Sequence, residues 1–171
     1  MPPGKLHTNK IDVIQIVRSY KNIFTNKIFI IGIMSLGLSM IPFISWIGLS
    51  PAIILENQHQ TFKVYVIYQC IIFSGYVISN TLINILAGKY SFYNLIRYGS
   101  LISFCGLICA GVLCTVSNNF VILGMMIYAL GLGLYTGSLV RIALSSTGAS
   151  MNLSAASMTL LNCIIIFIGL E

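Results

Sequence analysis

Charge is what this chain has least of. Of its 171 residues only 7% are charged, and only three are Asp or Glu, against about 25% charged in an ordinary soluble domain. So few charges cannot cover a water-facing surface, which excludes a soluble enzyme, a disordered chain and a nucleic-acid-binding domain as starting points. Proline is also scarce, at four residues, so long helices meet few interruptions. The five cysteines (Cys70, Cys105, Cys109, Cys114, Cys163) all lie in apolar runs and form no Cys-x-x-Cys pair, which favours small packing residues over disulfides or metal ligands. Glu56 and His59 are spaced like half of a metal motif, but the other histidine is the distant His7, so no metal site is expected. There is no nucleophile beside a base and no phosphate-binding loop, and hence no sign of an enzyme. Met1-Pro2-Pro3-Gly4 has no apolar core behind a basic start and does not read as a cleaved signal peptide.

What the chain has is apolar length: 57% of it is hydrophobic, and the mean hydropathy is +0.95. A helix crossing the bilayer needs roughly 20 mostly apolar residues. Five stretches qualify, at about 28–49, 64–88, 95–116, 120–144 and 153–170, the first bounded by Lys27 and by an expected Ser50-Pro51 turn. They are too long and too evenly apolar for the alternation of barrel strands, so the expected fold is an all-α polytopic membrane bundle of about five transmembrane helices. Residues 1–27 form a linker ahead of this 28–171 domain. Within the linker Val13, Ile16, Val17, Tyr20, Ile23 and Phe24 share one helical face opposite Gln15, Arg18, Asn22 and Thr25. That pattern predicts an amphipathic helix, either on the membrane surface with Arg18 and Lys21 near anionic head groups or packed on the ends of the spans.

The net charge of +6 takes its first meaning from position. With the amino terminus cytoplasmic, Lys5, Lys10, Arg18, Lys21, Lys27, Lys89, Arg97 and Arg141 fall on the inner side and Lys63 alone on the outer. The positive-inside rule therefore predicts a cytoplasmic amino terminus.

Polar residues inside the spans are the candidates for function. Tyr65, Gln69, Phe73, Tyr76, Asn80 and Asn84 are spaced 4, 4, 3, 4 and 4 apart, one stripe of a helix. Unpaired amides cost several kcal/mol in hydrocarbon, so the stripe faces a neighbouring helix or a wet cavity that suits flat, amphipathic ligands. Tyr128 and Tyr135 share a face with Gly131 and Ser138 and can project into the same cavity, while Gly133 and Gly137 form a small-xxx-small pair for close helix packing. Pro42 is a hinge or a static bend in the first span, and Trp46 near its outer end is an anchor or a gate. Arg141 snorkels to the interface or meets a buried partner. The expected spans contain no Asp or Glu of the kind that proton relays use.

Three segments in order carry a resemblance. They are S-W-I-G-L-S-P-A-I-I-L (Ser45 to Leu55), I-Y-A-L-G-L-G-L-Y-T-G-S-L-V-R (Ile127 to Arg141) and S-A-A-S-M-T-L-L-N (Ser154 to Asn162). Together they resemble the carboxyl-terminal half of a major facilitator superfamily transporter of the multidrug and chloramphenicol-resistance branch of the drug:proton antiporters. The resemblance covers about Ile11 to Glu171 and implies a partial major facilitator fold, helices seven to eleven, truncated before the last helix. Gly88-Lys89-Tyr90-Ser91-Phe92 departs from that family's fuller basic loop between helices eight and nine. The resemblance further implies that helices seven, eight, ten and eleven face a central cavity, to which Asn162 would contribute. It implies a multi-pass protein of the bacterial inner (plasma) membrane whose full-length parent exports hydrophobic drug-like molecules, with a proton gradient and no bound cofactor. On this expectation the chain is a fragment that supplies one wall of the substrate cavity and is inactive without the missing amino-terminal half. The alternatives are a structural or assembly membrane subunit, oligomerising through Gly133 and Gly137, and one half of a split transporter.

Overall fold

The computed structural model describes residues 13–116 and 120–171; Lys5, His7, Lys10 and Asp12 lie outside them. Described residues form six α-helices: α1 (Val13–Thr25), α2 (Lys27–Pro51), α3 (Phe62–Leu86), α4 (Phe92–Val116), α5 (Val121–Ser146) and α6 (Met151–Leu170). A π-helical turn, Ala52–Asn57, prolongs α2. Five helices are long and apolar enough to cross a membrane, and all except α1 are among them.

The spans alternate in direction. Gly99 lies against Tyr135, Gly106 against Tyr128 and Gly124 against Ala110, so α4 and α5 run antiparallel. Gly75 meets Met126, Ser79 meets Gly133 and Ile83 meets Gly137, which makes α3 parallel to α5. Gly32 approaches Ala143 and the Ser39 carbonyl meets the Tyr128 hydroxyl, setting α2 antiparallel to α5, and the Gly37–Ile165 and Ile41–Gly169 contacts set it parallel to α6. One end of the bundle thus gathers Lys27, Leu86, Phe92, Ser146 and Met151. This is the basic end, carrying Arg18, Lys21, Lys27, Lys89, Arg97 and Arg141, whereas Glu56, Lys63 and Glu171 stand at the opposite end.

α5 is the centre. It is apolar all round, as a helix enclosed by others must be, and it buries residues on every side, among them Gly124, Tyr128, Ala129, Gly131, Leu132, Gly133, Tyr135, Thr136, Ser138 and Ala143. Its small residues let neighbours approach backbone to backbone, as packing in lipid favours. The tightest seam runs along α4, where Gly99, Ser103, Gly106 and Ala110 meet the face of α5 that carries Gly124, Tyr128, Gly131 and Tyr135. A Cβ on Gly124 or Gly131 would collide with the facing backbone.

The Ser50-Pro51 pair, expected to turn the chain, lies within continuous helix. Pro51 removes one backbone N–H and leaves one carbonyl of the preceding turn without its amide, and the backbone beyond it winds more widely: the amide of Gln58 donates to the carbonyl of Ile53 at 3.1 Å and that of Gln60 to Ile54 at 3.1 Å. His59, at φ 52°, ends the winding in the left-handed region. The first span then covers 30 residues, Lys27–Glu56, about 45 Å at the α-helical rise, so it tilts or projects beyond a hydrocarbon layer of about 30 Å.

The linker helix α1 is tied to the basic end. Ile23 is fully buried in a cluster with Phe29, Ile33, Leu36, Ala143 and Met158. Asn26 does the rest: its Oδ1 accepts from the amide of Phe29, capping α2, and its Nδ2 donates to the carbonyl of Ser146 at 2.6 Å. Of the predicted apolar face, Val17, Tyr20 and Phe24 are exposed beside Arg18 and Lys21, and the side chains of Val13 and Ile16 lie outside the described set. Large apolar side chains such as Ile31, Val77, Phe104 and Phe167 are exposed around the bundle, a surface that only lipid or further helices satisfy. Cys70, Cys105, Cys114 and Cys163 are on that surface as well, rather than in the packing seams.

Candidate functional site

The polar stripe of α3 flanks the edge by which this helix packs. Ile72, Gly75, Ser79 and Ile83 are buried against α5, so the 3.6-residue period turns Tyr65, Gln69, Phe73, Tyr76, Asn80 and Asn84 to the side. All six are at least partly exposed. Towards the Glu56 end the stripe meets α2. Gln69 donates from Nε2 to the buried hydroxyl of Ser50 at 2.6 Å. Phe43 takes Phe73 edge-on at 5.5 Å between ring centroids and stacks on Tyr76 at 5.9 Å. Tyr65 lies against Phe62, and Asn80 returns its Nδ2 to the carbonyl of Tyr76 in its own helix. Asn84, nearest the basic end, is exposed.

Asn162 is elsewhere. It lines a crevice of about 240 Å³ between α2, α5 and α6, with Leu36, Val140, Leu144, Ala155, Met158 and Thr159, and its Oδ1 sits 3.3 Å from the place a Cβ on Gly37 would take. α2 stands between Asn162 and the α3 stripe and touches both. Gln69 Oε1, Asn162 Oδ1, Trp46 Nε1 and Gln58 Oε1 are buried and meet no hydrogen-bond partner among the described residues. An unsatisfied buried polar atom costs about 1–3 kcal/mol, so both sides of α2 carry atoms that solvent, a ligand or further protein would satisfy.

Tyr128 and Tyr135 take a different place from the stripe. Both are buried. The Tyr128 hydroxyl donates to the carbonyl of Ser39 in α2, beside the carbonyl that Pro42 leaves without its usual amide, and Tyr135 lies against the hydroxyls of Ser35 and Ser39. They join α5 to α2 behind the stripe. Trp46 is also in this core, with Phe43, Ile54 and Ile72, rather than at an interfacial surface. Gly133 and Gly137 receive Ser79 and Ile83 of α3 from the same chain. Arg141 is exposed, its guanidinium 5.6 Å from the centroid of the Phe92 ring at the start of α4. Sequence reasoning missed the α4 seam and the Asn26 clamp. The 4, 3, 4 spacing of Gly99, Ser103, Gly106 and Ala110 was the available signal for the first; for the second there was only an asparagine ahead of an apolar run.

No protein-family model matches the chain. Curated relatives do. It is 31% identical over 171 residues to the multidrug transporter MdfA of Yersinia pestis (strain D106004), covering 98% of this chain and 42% of that protein. It is 29% identical over 165 residues to multidrug transporter MdfA of Escherichia coli O157:H7 and 27% identical over 165 residues to that of Edwardsiella ictaluri (strain 93-146), in each case 95% of this chain and 40% of the relative. The chain thus spans about two fifths of the length of these relatives. With its helical bundle of apolar spans, and over nearly its whole length, the chain is a relative of the multidrug transporters of the major facilitator superfamily.

Proposed function

We propose that this chain forms one wall of the substrate cavity of a multidrug efflux transporter of the bacterial inner membrane, a drug:proton antiporter working by alternating access. The cavity wall is the α3 stripe, Tyr65, Gln69, Tyr76, Asn80 and Asn84, continued across α2 to Asn162; Tyr128 and Tyr135 brace it from behind, and Pro42, Trp46 and Arg141 are where it bends or gates. The observation that carries this reading is the pair of buried, unpartnered amide oxygens of Gln69 and Asn162 on the two sides of α2. Amides are kept in an apolar bundle at such cost where they serve a ligand, water or a facing helix. Aromatic rings interleaved with amides along α3 suit flat, hydrophobic, neutral or cationic molecules, which stack on the rings and take one or two hydrogen bonds.

The wall needs an opposing one. The described carboxylates, Glu56 and Glu171, stand with Lys63 at the end of the bundle opposite the basic end, and coupling to protons draws on intramembrane carboxylates. The chain therefore acts with a further set of membrane helices, in one longer protein or as a separate partner, and does not transport alone. The amino terminus is cytoplasmic, with the basic end inside. An assembly subunit dimerising through Gly133 and Gly137 fits less well, since α3 of the same chain fills that groove.

The test is a comparison of resistance spectra in the assembled transporter. Asn80→Leu and Asn84→Leu should change which drugs are tolerated by about tenfold, the effect of ~1.4 kcal/mol on drug binding. Ser100→Leu, on the exposed face of α4, should leave the spectrum as it is. Equal losses at all three positions, following expression level, would refute the cavity assignment.

A further inference from the structure

We propose that the groove between α3 and α4 at the basic end is a binding site for an anionic phospholipid, with an acyl chain in the groove and the phosphate held by Lys89 and Arg97. α3 and α4 follow one another through a short connection, residues 87–91, but each turns its small residues to α5: Gly75 and Ser79 from one, Gly99, Ser103 and Gly106 from the other. The two helices therefore leave a cleft between them, about 250 Å³ in volume, floored by Leu134 of α5 and lined by Leu86, Leu95, Tyr90 and Tyr98. It opens outward, since Tyr90 and Tyr98 are each more than half exposed.

Its chemistry changes along its length as a phospholipid's does. The floor and walls are leucine. Two phenols stand at the mouth, the residue type that settles at the level of lipid head groups. Next in sequence to each phenol is an exposed cation, Lys89 beside Tyr90 and Arg97 beside Tyr98, and Arg141 lies over Phe92 at the same end. Both described carboxylates, Glu56 and Glu171, are at the far end of the bundle. These cations thus have no protein counter-charge among the described residues, and a phosphodiester at the membrane surface supplies one. Charge complementarity and apolar depth together select an anionic lipid over a zwitterionic one.

The experiment is native mass spectrometry of the purified full chain, released from micelles doped with phosphatidylglycerol or, separately, phosphatidylcholine. Phosphatidylglycerol should be retained preferentially. Lys89→Gln and Arg97→Gln, both on exposed side chains, should each lower its retention about fivefold, equivalent to ~1 kcal/mol per basic residue at an anionic surface. Leu86→Trp, which fills the groove, should lower it too, while Arg18→Gln with Lys21→Gln on α1 should not. Equal retention of the two lipids, retention unchanged in Lys89→Gln/Arg97→Gln, or a loss as large in the α1 variant overturns the proposal. So does a population of dimers that falls in Leu86→Trp while lipid retention stays flat, which would assign the groove to a second copy of the chain.

Discussion

Gly106→Ala should destabilise the bundle where Gly111→Ala, five residues further along the same helix, should not. A Cβ on Gly106 would stand 2.7 Å from the Cα of Tyr128 and 3.0 Å from the carbonyl oxygen of Gly124, and closer still to the Tyr128 amide nitrogen. Non-bonded carbons settle at about 3.5–4.0 Å. The three nearest atoms all belong to the α5 backbone, so no rotamer change makes room, and α4 has to move away by roughly 1 Å, a gap that forfeits a quarter to a half of the dispersion attraction along the seam. Overpacking of this kind costs about 1–3 kcal/mol. At Gly111 an added Cβ meets nothing within 4 Å. Both substitutions gain the same helix propensity, about 1 kcal/mol for replacing an interior glycine by alanine, so it cancels in the comparison. The variants should therefore differ by ~1–3 kcal/mol, Gly106→Ala being the less stable. Dodecyl sulfate titration of the purified proteins in mild detergent, followed by far-ultraviolet ellipticity, measures the difference. Midpoints that agree to within roughly 0.5 kcal/mol, the range of surface substitutions, or a Gly111→Ala loss as large as that of Gly106→Ala, would refute the close approach of α4 to α5.

Asn26→Ala removes the cap on α2 and the bond to the Ser146 carbonyl together, a loss of about 1–2 kcal/mol; trypsin should then cleave at Lys21 and Lys27 faster in micelles, and an unchanged rate would show that α1 is held by Ile23 alone. A reporter fused after Tyr90 should be active only if functional in the cytoplasm, because Lys27, Lys89, Arg97 and Arg141 share that end and Lys63 is the basic residue at the other; periplasmic activity would invert the assigned orientation.

How far the sequence could be read follows from what lipid does to the hydrophobic pattern. In water an apolar face points inward, so periodicity reports both the element and its orientation. In a bilayer the outward faces are apolar too: Ile31, Val77 and Phe104 face outward while Ile33, Ile72 and Leu132 are buried, and nothing in their residue types tells them apart. Length and mean apolarity were therefore enough to find five spans, but only small and polar residues could say how the spans meet. Polar ones announce that a face avoids lipid without naming its partner. Tyr128 and Tyr135 carry this signal and meet α2 inside the chain, whereas Gln69 and Asn162, of the same class, keep a side-chain oxygen unpaired among the described residues. Small residues behave alike: Gly133 and Gly137 read equally well as a contact between chains, until Ser79 and Ile83 are seen against them. Arg141 shows the same limit for charge. A search for its partner looks for a carboxylate, but the neighbour it has is the ring of Phe92, which no spacing rule connects to it. The residues whose placement the sequence could not decide are thus those whose partners lie on other helices. Among them, Gln69 and Asn162 each keep a buried amide oxygen unpaired among the described residues, and these are the atoms that the proposed opposing wall would meet.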